Sequence, residues 1–382
     1  MQDYYGRAME LHRRLRGKLK VVGKEPIRTI DDLSLFYTPG VAEPCRRIAK
    51  DKSLVYDLTM KHNTVAIVSD GTRVLGLGDI GPEAALPVME GKALIMQQFA
   101  GIDAFPICLD TKDADEIVMV VKAIAPVFGA INLEDIETPK VFEIEKRLTE
   151  SLTIPVFHDD QHGTAVVVLA GLINAMKLTK KTKSARIGIV GAGGAGYGIT
   201  KLLCAYGFGN IVVFDSKGAI RMGSGGMDSH KEHIAKITNP DGFSGSLKDF
   251  AGADIIIAAS QPGALPVETI KKMKKPNIVF ALANPVPEIS LEQARELNID
   301  VFGTGRSDYP NQINNSLCFP GFLRALLDLR VTRITDNMKI AAAQGIAEAV
   351  SEIELKSGKI VPDPFDKSVP LNIRERVGKA IS

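Results

Sequence analysis

Only four cysteines occur in the 382 residues, and no two of them stand as C-x-x-C. Cys45, Cys108, Cys204 and Cys318 are widely spaced, which argues against a cysteine zinc site or a disulfide framework. Lone thiols suit a reducing cytoplasm. An excess of one charge is also missing: 47 Lys and Arg against 45 Asp and Glu leave a net charge of +2. That balance offers no electrostatic footprint for nucleic acid or for an anionic membrane surface. The longest largely apolar stretch, Ala165 to Met176, falls short of the roughly 20 residues that span a bilayer. The first sixteen residues are charged throughout and lack the apolar core of a signal peptide. Internal repeats and low-complexity segments are absent. These absences lead to the expectation of a cytoplasmic protein with neither nucleic-acid nor membrane partners.

What the chain does have is a globular composition, 45% hydrophobic and 24% charged, and a length that suggests two domains at about 150 residues each. Strands and helices alternate, which predicts an α/β protein with largely parallel sheets. A first set of strands is expected at Thr64–Ser69, Ala104–Leu109, Ala130–Leu133 and Ile154–Phe157. A second follows at Ile187–Val190, Ile211–Phe214, Asp254–Ala258, Ile278–Leu282 and Asp300–Phe302. Thr138 as N-cap and Pro139 as first residue announce a helix between the third and fourth strands. A polar stretch at 178–184 reads as a surface connection, and the helix before it, about Thr164 to Lys177, as a bridge. The expected division is a substrate- and metal-binding α/β domain over 1–163 and a dinucleotide-binding domain over 164–382. Helices return after about Val331 (Met338–Ile353) and are expected to pack back on the first domain, ahead of a loosely ordered polar end. Met89, Met96 and Met119 read as core.

Ile187-Gly-Ile-Val-Gly191-Ala-Gly193-Gly194-Ala195-Gly196 is a strand running into G-x-G-x-x-G. Gly191 allows the tight turn, Gly193 lets the backbone approach a pyrophosphate, and Gly196 lets the following helix pack on its strand. The pyrophosphate would then sit on the helix N-terminus. Asp215 closes the next strand, where an acidic residue would bond the ribose hydroxyls. Lys217 beside it is placed to meet a 2′-phosphate, so both NAD and NADP stay open.

Glu134-Asp135 and Asp159-Asp160 each follow an expected strand, and the intervening residues are the length of a βαβ crossover. Four carboxylates therefore converge at neighbouring strand tips. That much negative charge calls for a cation, and oxygen-only ligands select Mg²⁺ or Mn²⁺ over zinc. His158 and His162 flank the second acidic pair on what reads as a strand-to-helix turn, as hydrogen-bonding groups rather than a zinc pair. His230 and His233 are expected to be exposed.

Several segments together resemble the malic enzyme family in its compact bacterial or archaeal form. They are Phe36-Tyr-Thr-Pro-Gly-Val-Ala-Glu-Pro44, Asp70-Gly-Thr-Arg-Val-Leu-Gly-Leu-Gly-Asp-Ile-Gly81, Glu90-Gly-Lys92 and Phe157-His-Asp-Asp-Gln-His-Gly-Thr-Ala165. Gly191–Gly196, Ala283-Asn-Pro285 and Asn314-Asn315 continue it in the same order. The resemblance implies oxidative decarboxylation of L-malate to pyruvate and CO₂ with reduction of NAD or NADP, in a homodimer. It implies Lys92 as base, Tyr37 as acid, Asp159 as the partner positioning the lysine, and Glu134, Asp135 and Asp160 as metal ligands. Asn284 and Asn315 would hold substrate or nicotinamide amide groups, with Asn314 the alternative to Asn315. Arg73 could pair with a malate carboxylate. Because Tyr37 lies in a short N-terminal region, it could reach the partner's cleft. Gly76, Gly78 and Gly81 would serve a close-packed loop. The rival readings are a malate-to-lactate decarboxylase, a simple malate dehydrogenase and a non-catalytic nucleotide sensor.

Overall fold

The computed structural model describes residues 4–381. A first sheet holds β1 (Thr64–Ser69), β2 (Asp103–Cys108), β3 (Ala130–Leu133) and β4 (Val156–His158), all parallel in the order β2-β1-β3-β4. A second holds β5 (Ile187–Val190), β6 (Ile211–Asp215), β7 (Gly218–Ala219), β8 (Ile255–Ala258), β9 (Ile278–Ala281) and β10 (Val301–Thr304). Its order is β10-β9-β8-β5-β6-β7, with only β7 antiparallel. The inner strands β1 and β3 are buried on both faces, as parallel strands covered by crossover helices are, whereas the edge strand β2 is only partly buried along its length.

Side-chain parity along β1 shows how the layers are built. Val65 and Ile67 enter the main core, whereas Ala66 and Val68 face a separate cluster with Ile117, Val121 and Ile144. In the second sheet, Ile255 and Ile257 join the same main core while Ile256 and Ala258 turn to a third cluster. Alternation of period two thus gives each sheet two apolar faces.

The element joining the sheets is the helix Asp159–Thr179. It is long and apolar enough to cross a membrane, yet fourteen of its residues are buried in protein, from Asp159 to Ala175. A helix apolar on every side is an interior one, and this one lies in the core that contains both Ile67 and Ile189. It begins at Asp159, so the Asp-Asp-Gln-His run forms its first turn rather than a loop ahead of it. Two carboxylates there complement the positive end of the helix dipole. The helix Gly194–Tyr206 crosses it closely, because a Cβ on Gly198 would stand 2.3 Å from the Gln161 carbonyl.

Most other boundaries shift by one or two residues, but the helix expected over Met338–Ile353 runs Asp336–Glu348 and a separate short helix, Glu352–Lys356, follows it. The helix after β3 is Lys140–Ser151 with Pro139 as its cap, and β4 starts at Val156. The chain end is ordered: Ser368–Ile381 is a helix burying Val369, Ile373 and Val377 at four-residue spacing. It packs on the helices Phe319–Asp328 and Asp336–Glu348, and Phe319–Asp328 in turn packs on Pro82–Ala100. Met119 is 63% exposed, unlike the fully buried Met89 and Met96. It sits on the solvent side of the helix Ala114–Ile124, whose inner positions are Ile117, Val118 and Val121.

The N-terminal helices stand outside the core. Tyr4–Leu15, Ile30–Phe36 and Ala42–Lys50 bury no residue at all. Tyr5, Val21 and Ile30 are each at least 80% exposed.

Candidate active site

The tips of β3, β4, β8 and β9 open on one cavity of about 560 Å³. Carboxyl ends of parallel strands are where open α/β sheets bind ligands. Lys92 reaches it from the helix Pro82–Ala100, Glu134 and Asp135 from the end of β3, and Asp160 from the first turn of the central helix. Asn284, Asn314 and Asn315 also line it, with Gly194 and Ala195 of the glycine-rich loop and with Arg73 from the loop after β1.

Lys92 is 8% exposed and its ammonium is shared between two carboxylates. Its Nζ lies 2.5 Å from Glu134 Oε2 and donates to Asp159 Oδ2. Asn132 Nδ2 donates to the same Glu134 oxygen at 2.9 Å. The Asp135 amide donates to Asp160 Oδ2 at 3.0 Å, and the Arg73 amide donates to the Asp135 carbonyl at 3.0 Å. Asp135 holds a left-handed backbone, φ 52°, which turns its carboxylate toward Asp160 at some conformational cost.

Glu134, Asp135 and Asp160 each present an oxygen within 4.8 Å of the others. Asp135 Oδ2 is buried without a hydrogen-bond partner. An orphaned buried oxygen in a three-carboxylate nest is a donor set that could hold a hard divalent cation. The titration behaviour agrees. Burial drives the Glu134 carboxyl well above the ordinary range against the pull of Lys92, and Asp160, Asp159 and Asp135 add to the rise. Burial and the Asp160 charge lift Asp135 to about 7. Asp159 is raised by burial against Lys92. For Lys92, burial is outweighed by the charges of Asp159, Glu134 and Asp160, so its proton is held more tightly than usual. Four carboxylates answered by one ammonium are short of positive charge.

Asp160 is the exception among the four. Burial is overcome by His158, whose Nε2 lies 3.7 Å away, and its carboxyl stays below the ordinary range. His158 itself is raised by these carboxylates in spite of burial. His162, one turn on, faces away from the cavity and meets Glu145 at 2.6 Å. Neither histidine joins the carboxylate nest. His230 is 9% exposed, packed on Phe142 at 5.1 Å, and His233 meets the Tyr197 hydroxyl at 2.9 Å. Both had been expected to be exposed. The aromatic patch of Phe142 and Tyr197 draws them in.

Gly191 has φ 108°, and a Cβ there would meet the Ala259 carbonyl at 2.3 Å. At Gly196 a Cβ would lie 1.9 Å from the Gly191 carbonyl. Gly193 caps the helix Gly194–Tyr206, and its open face looks toward the Arg73 guanidinium. Asp215 ends β6 outside the cavity, accepting from the Lys217 amide at 2.8 Å and from Lys231 Nζ at 2.7 Å. Asn314 caps a short turn, its side chain accepting from the Ser316 amide at 2.9 Å.

Tyr37 is the residue the cavity does not gather. It is 67% exposed at the end of the helix Ile30–Phe36. Phe319 went unnoticed in the sequence: its ring lines the cavity under Lys92. Asn132 and the Glu145–His162 pair also escaped notice, because nothing in their sequence neighbourhood marks them as neighbours of the site.

Residues 16–149 match the malic enzyme N-terminal domain, and 161–298 and 296–380 match the malic enzyme NAD-binding domain. The chain belongs to the malic enzyme family. It is 56% identical over 366 residues to the NAD-dependent malic enzyme of Geobacillus stearothermophilus, covering 95% of this chain and 76% of that one. It is 54% identical to the bifunctional malic/malolactic enzyme of Bacillus subtilis (strain 168), covering 98% and 92%. The crystal structure of an NAD-dependent malic enzyme from Thermotoga maritima superposes with a TM-score of 0.93 at 47% identity, over 97% of this chain and 98% of that one. As a malic enzyme family member, the chain has the α/β architecture with a Rossmann-type second sheet.

Proposed function

We propose that this chain catalyses the divalent-metal-dependent oxidative decarboxylation of L-malate to pyruvate and CO₂ with reduction of NAD, and of NADP less well. The observation that carries this reading is a buried lysine and a three-carboxylate nest opening on the same cavity as a dinucleotide loop. In this reading residues 1–163 form the substrate and metal unit and 164–382 the cofactor unit, working in the cytoplasm.

Lys92 would act as base in its neutral amine form, having given its own proton to solvent, and take the proton of the malate C2 hydroxyl. A divalent charge in the neighbouring nest would offset the carboxylates that otherwise hold the ammonium proton. Of the two carboxylates on its ammonium, Glu134 belongs to the metal nest and Asp159 does not. Asp159 is therefore the partner that stays with the lysine and steadies its charge. Arg73, Asn284 and Asn315 offer donors to the substrate carboxylates and the nicotinamide amide. Asn315 fits better than Asn314, whose side chain is occupied as a cap. Glu134, Asp135 and Asp160 would hold Mg²⁺ or Mn²⁺, which when bound supplies a Lewis acid for the charge that develops as CO₂ departs. Gly191–Gly196 would cradle the pyrophosphate of a nicotinamide cofactor, which when bound supplies the hydride acceptor. Asp215 favours NAD: Lys231 and the Lys217 amide hold its carboxylate ionised against burial, and a 2′-phosphate would face that charge.

Tyr37 protonates the enol carbon from the partner subunit of a homodimer. Its exposure, together with N-terminal helices that bury nothing in their own chain and leave Tyr5, Ile30 and Phe36 exposed, supports that arrangement. Mixing Tyr37→Phe chains with Lys92→Ala chains tests it: activity returns in the mixture only if a site draws on both chains.

The deciding assay supplies malate, Mn²⁺ and either nucleotide, and follows reduced cofactor and pyruvate together. Equal amounts of both products uphold the proposal. Lactate without reduced cofactor is the second reading, favoured by the similarity to the bifunctional malic/malolactic enzyme. Oxaloacetate without CO₂, or binding without turnover, would replace the proposal with a dehydrogenase or a nucleotide sensor.

A further inference from the structure

We propose that Glu288 is a positioning residue that holds Asn284 in the cavity wall; this rests on the reading of Asn284 as a donor to substrate or nicotinamide. Glu288 is 1% exposed. Its Oε1 accepts from the Ser260 amide at 2.7 Å and its Oε2 from the Ala283 amide at 3.0 Å. Those amides lie just past the ends of the neighbouring parallel strands β8 and β9. Ser260, Ala283 and Asn284 all line the cavity.

The sheet's own ladder stops one residue short of the clamp. The Ala259 amide donates to the Val190 carbonyl at 2.8 Å, and the Leu282 amide to the Ala258 carbonyl at 3.0 Å. The next amide on each strand is the one that Glu288 takes. A carboxylate has two acceptor oxygens, enough for both. Burying one is costly unless it is hydrogen-bonded, and here the bonds fall on the two strand tips that border the cavity. The side chain also starts from a fixed base. Ile289 is buried in the third apolar cluster, and the Glu288 carbonyl accepts from the Leu265 amide at 3.4 Å. Ala283 is thus pinned to the core and, through the shared carboxylate, to the neighbouring strand. Asn284 follows it directly, so the clamp sets the point from which Asn284 leaves the sheet. An apolar side chain at 288 would leave both amides without this partner and both tips free to shift.

A double-mutant cycle tests this, read as kcat/KM for malate at saturating NAD and Mn²⁺. Glu288→Gln keeps the size but turns one acceptor into a donor, so one amide loses its partner. Its kcat/KM should fall about tenfold, the scale of a slightly displaced binding group, and that of Asn284→Ala should fall further. The double variant should match Asn284→Ala within about twofold, because Glu288 then has no group left to act through. Losses that multiply in the double variant overturn the positioning role, since a general weakening of the fold would act independently of Asn284. An unchanged kcat/KM in Glu288→Gln overturns it as well. Thermal unfolding checks that each variant is folded. Glu288→Asp, too short to hold both amides, carries the same cycle if the glutamine variant does not fold. Asn284→Ala separates the two ideas. If it leaves kcat/KM intact, the reading of Asn284 fails and Glu288 has nothing to position; if it lowers kcat/KM and the losses multiply, only the role of Glu288 fails.

Discussion

Lys92 and Glu134 meet at 2.5 Å inside the protein, the one from a helix and the other from a strand tip 42 residues later in the chain. The contact ties the proposed base to the proposed metal nest, so disturbing one disturbs the charge balance of the other.

Lys92→Ala should lower kcat by a factor of about 10²–10⁴, the usual contribution of a positioned acid–base group. Asp159→Asn should lower kcat by less, since it leaves the amine in place but removes its charged partner. NAD titrations followed by nucleotide fluorescence check that the dinucleotide site is intact in both. Undiminished kcat in Lys92→Ala would remove the lysine from the chemistry.

Asp160→Ala should abolish metal-dependent turnover while NAD binding at Gly191–Gly196 survives. Chelator treatment of the native protein should reproduce that loss, and added Mn²⁺ should reverse it. Loss of NAD binding together with activity would indicate a misfolded variant instead.

The charge on Asp135 makes a pH prediction for the metal-free protein. Its carboxyl titrates near the ordinary 3.8 when unfolded and at about 7 when folded. Between those values the folded state binds the extra proton, so stability from this group is complete below pH 3.8 and is lost as pH rises through about 7. The loss is on the order of 4 kcal/mol at about 1.4 kcal/mol per unit. Asp135→Asn should therefore gain stability relative to the native chain as pH goes from 4 to 7.5, measured as the difference in Tm. A difference that does not change with pH contradicts it.

Asp215→Ser should shift the ratio of kcat/KM from NAD toward NADP by about tenfold or more, by removing the negative charge that faces a 2′-phosphate. Lys231, freed of its partner, adds to the shift. An unchanged ratio would place cofactor choice elsewhere.

Where the sequence was legible, local rules were enough. The G-x-G-x-x-G turn declares itself because two of its glycines answer carbonyls that a Cβ would strike, at 2.3 Å for Gly191 and 1.9 Å for Gly196. The pairing of Glu134-Asp135 with Asp160 followed from crossover length alone, since equal strand registers bring both tips to one edge. Phe319 was not legible. Its partner is more than two hundred residues away, and a phenylalanine before Pro320 looks like any core residue. The buried His230 and the ordered C-terminal helix were missed for the same reason: polar local sequence concealed contacts made only in three dimensions. The exposure of Tyr37 also lies beyond one chain's local pattern.

The most direct test of the account is anomalous scattering from crystals grown with Mn²⁺. The account predicts a peak within coordination distance of Glu134, Asp135 and Asp160, beside Lys92. A saturating concentration that leaves those three carboxylates without a peak, or that puts the ion elsewhere, would contradict it.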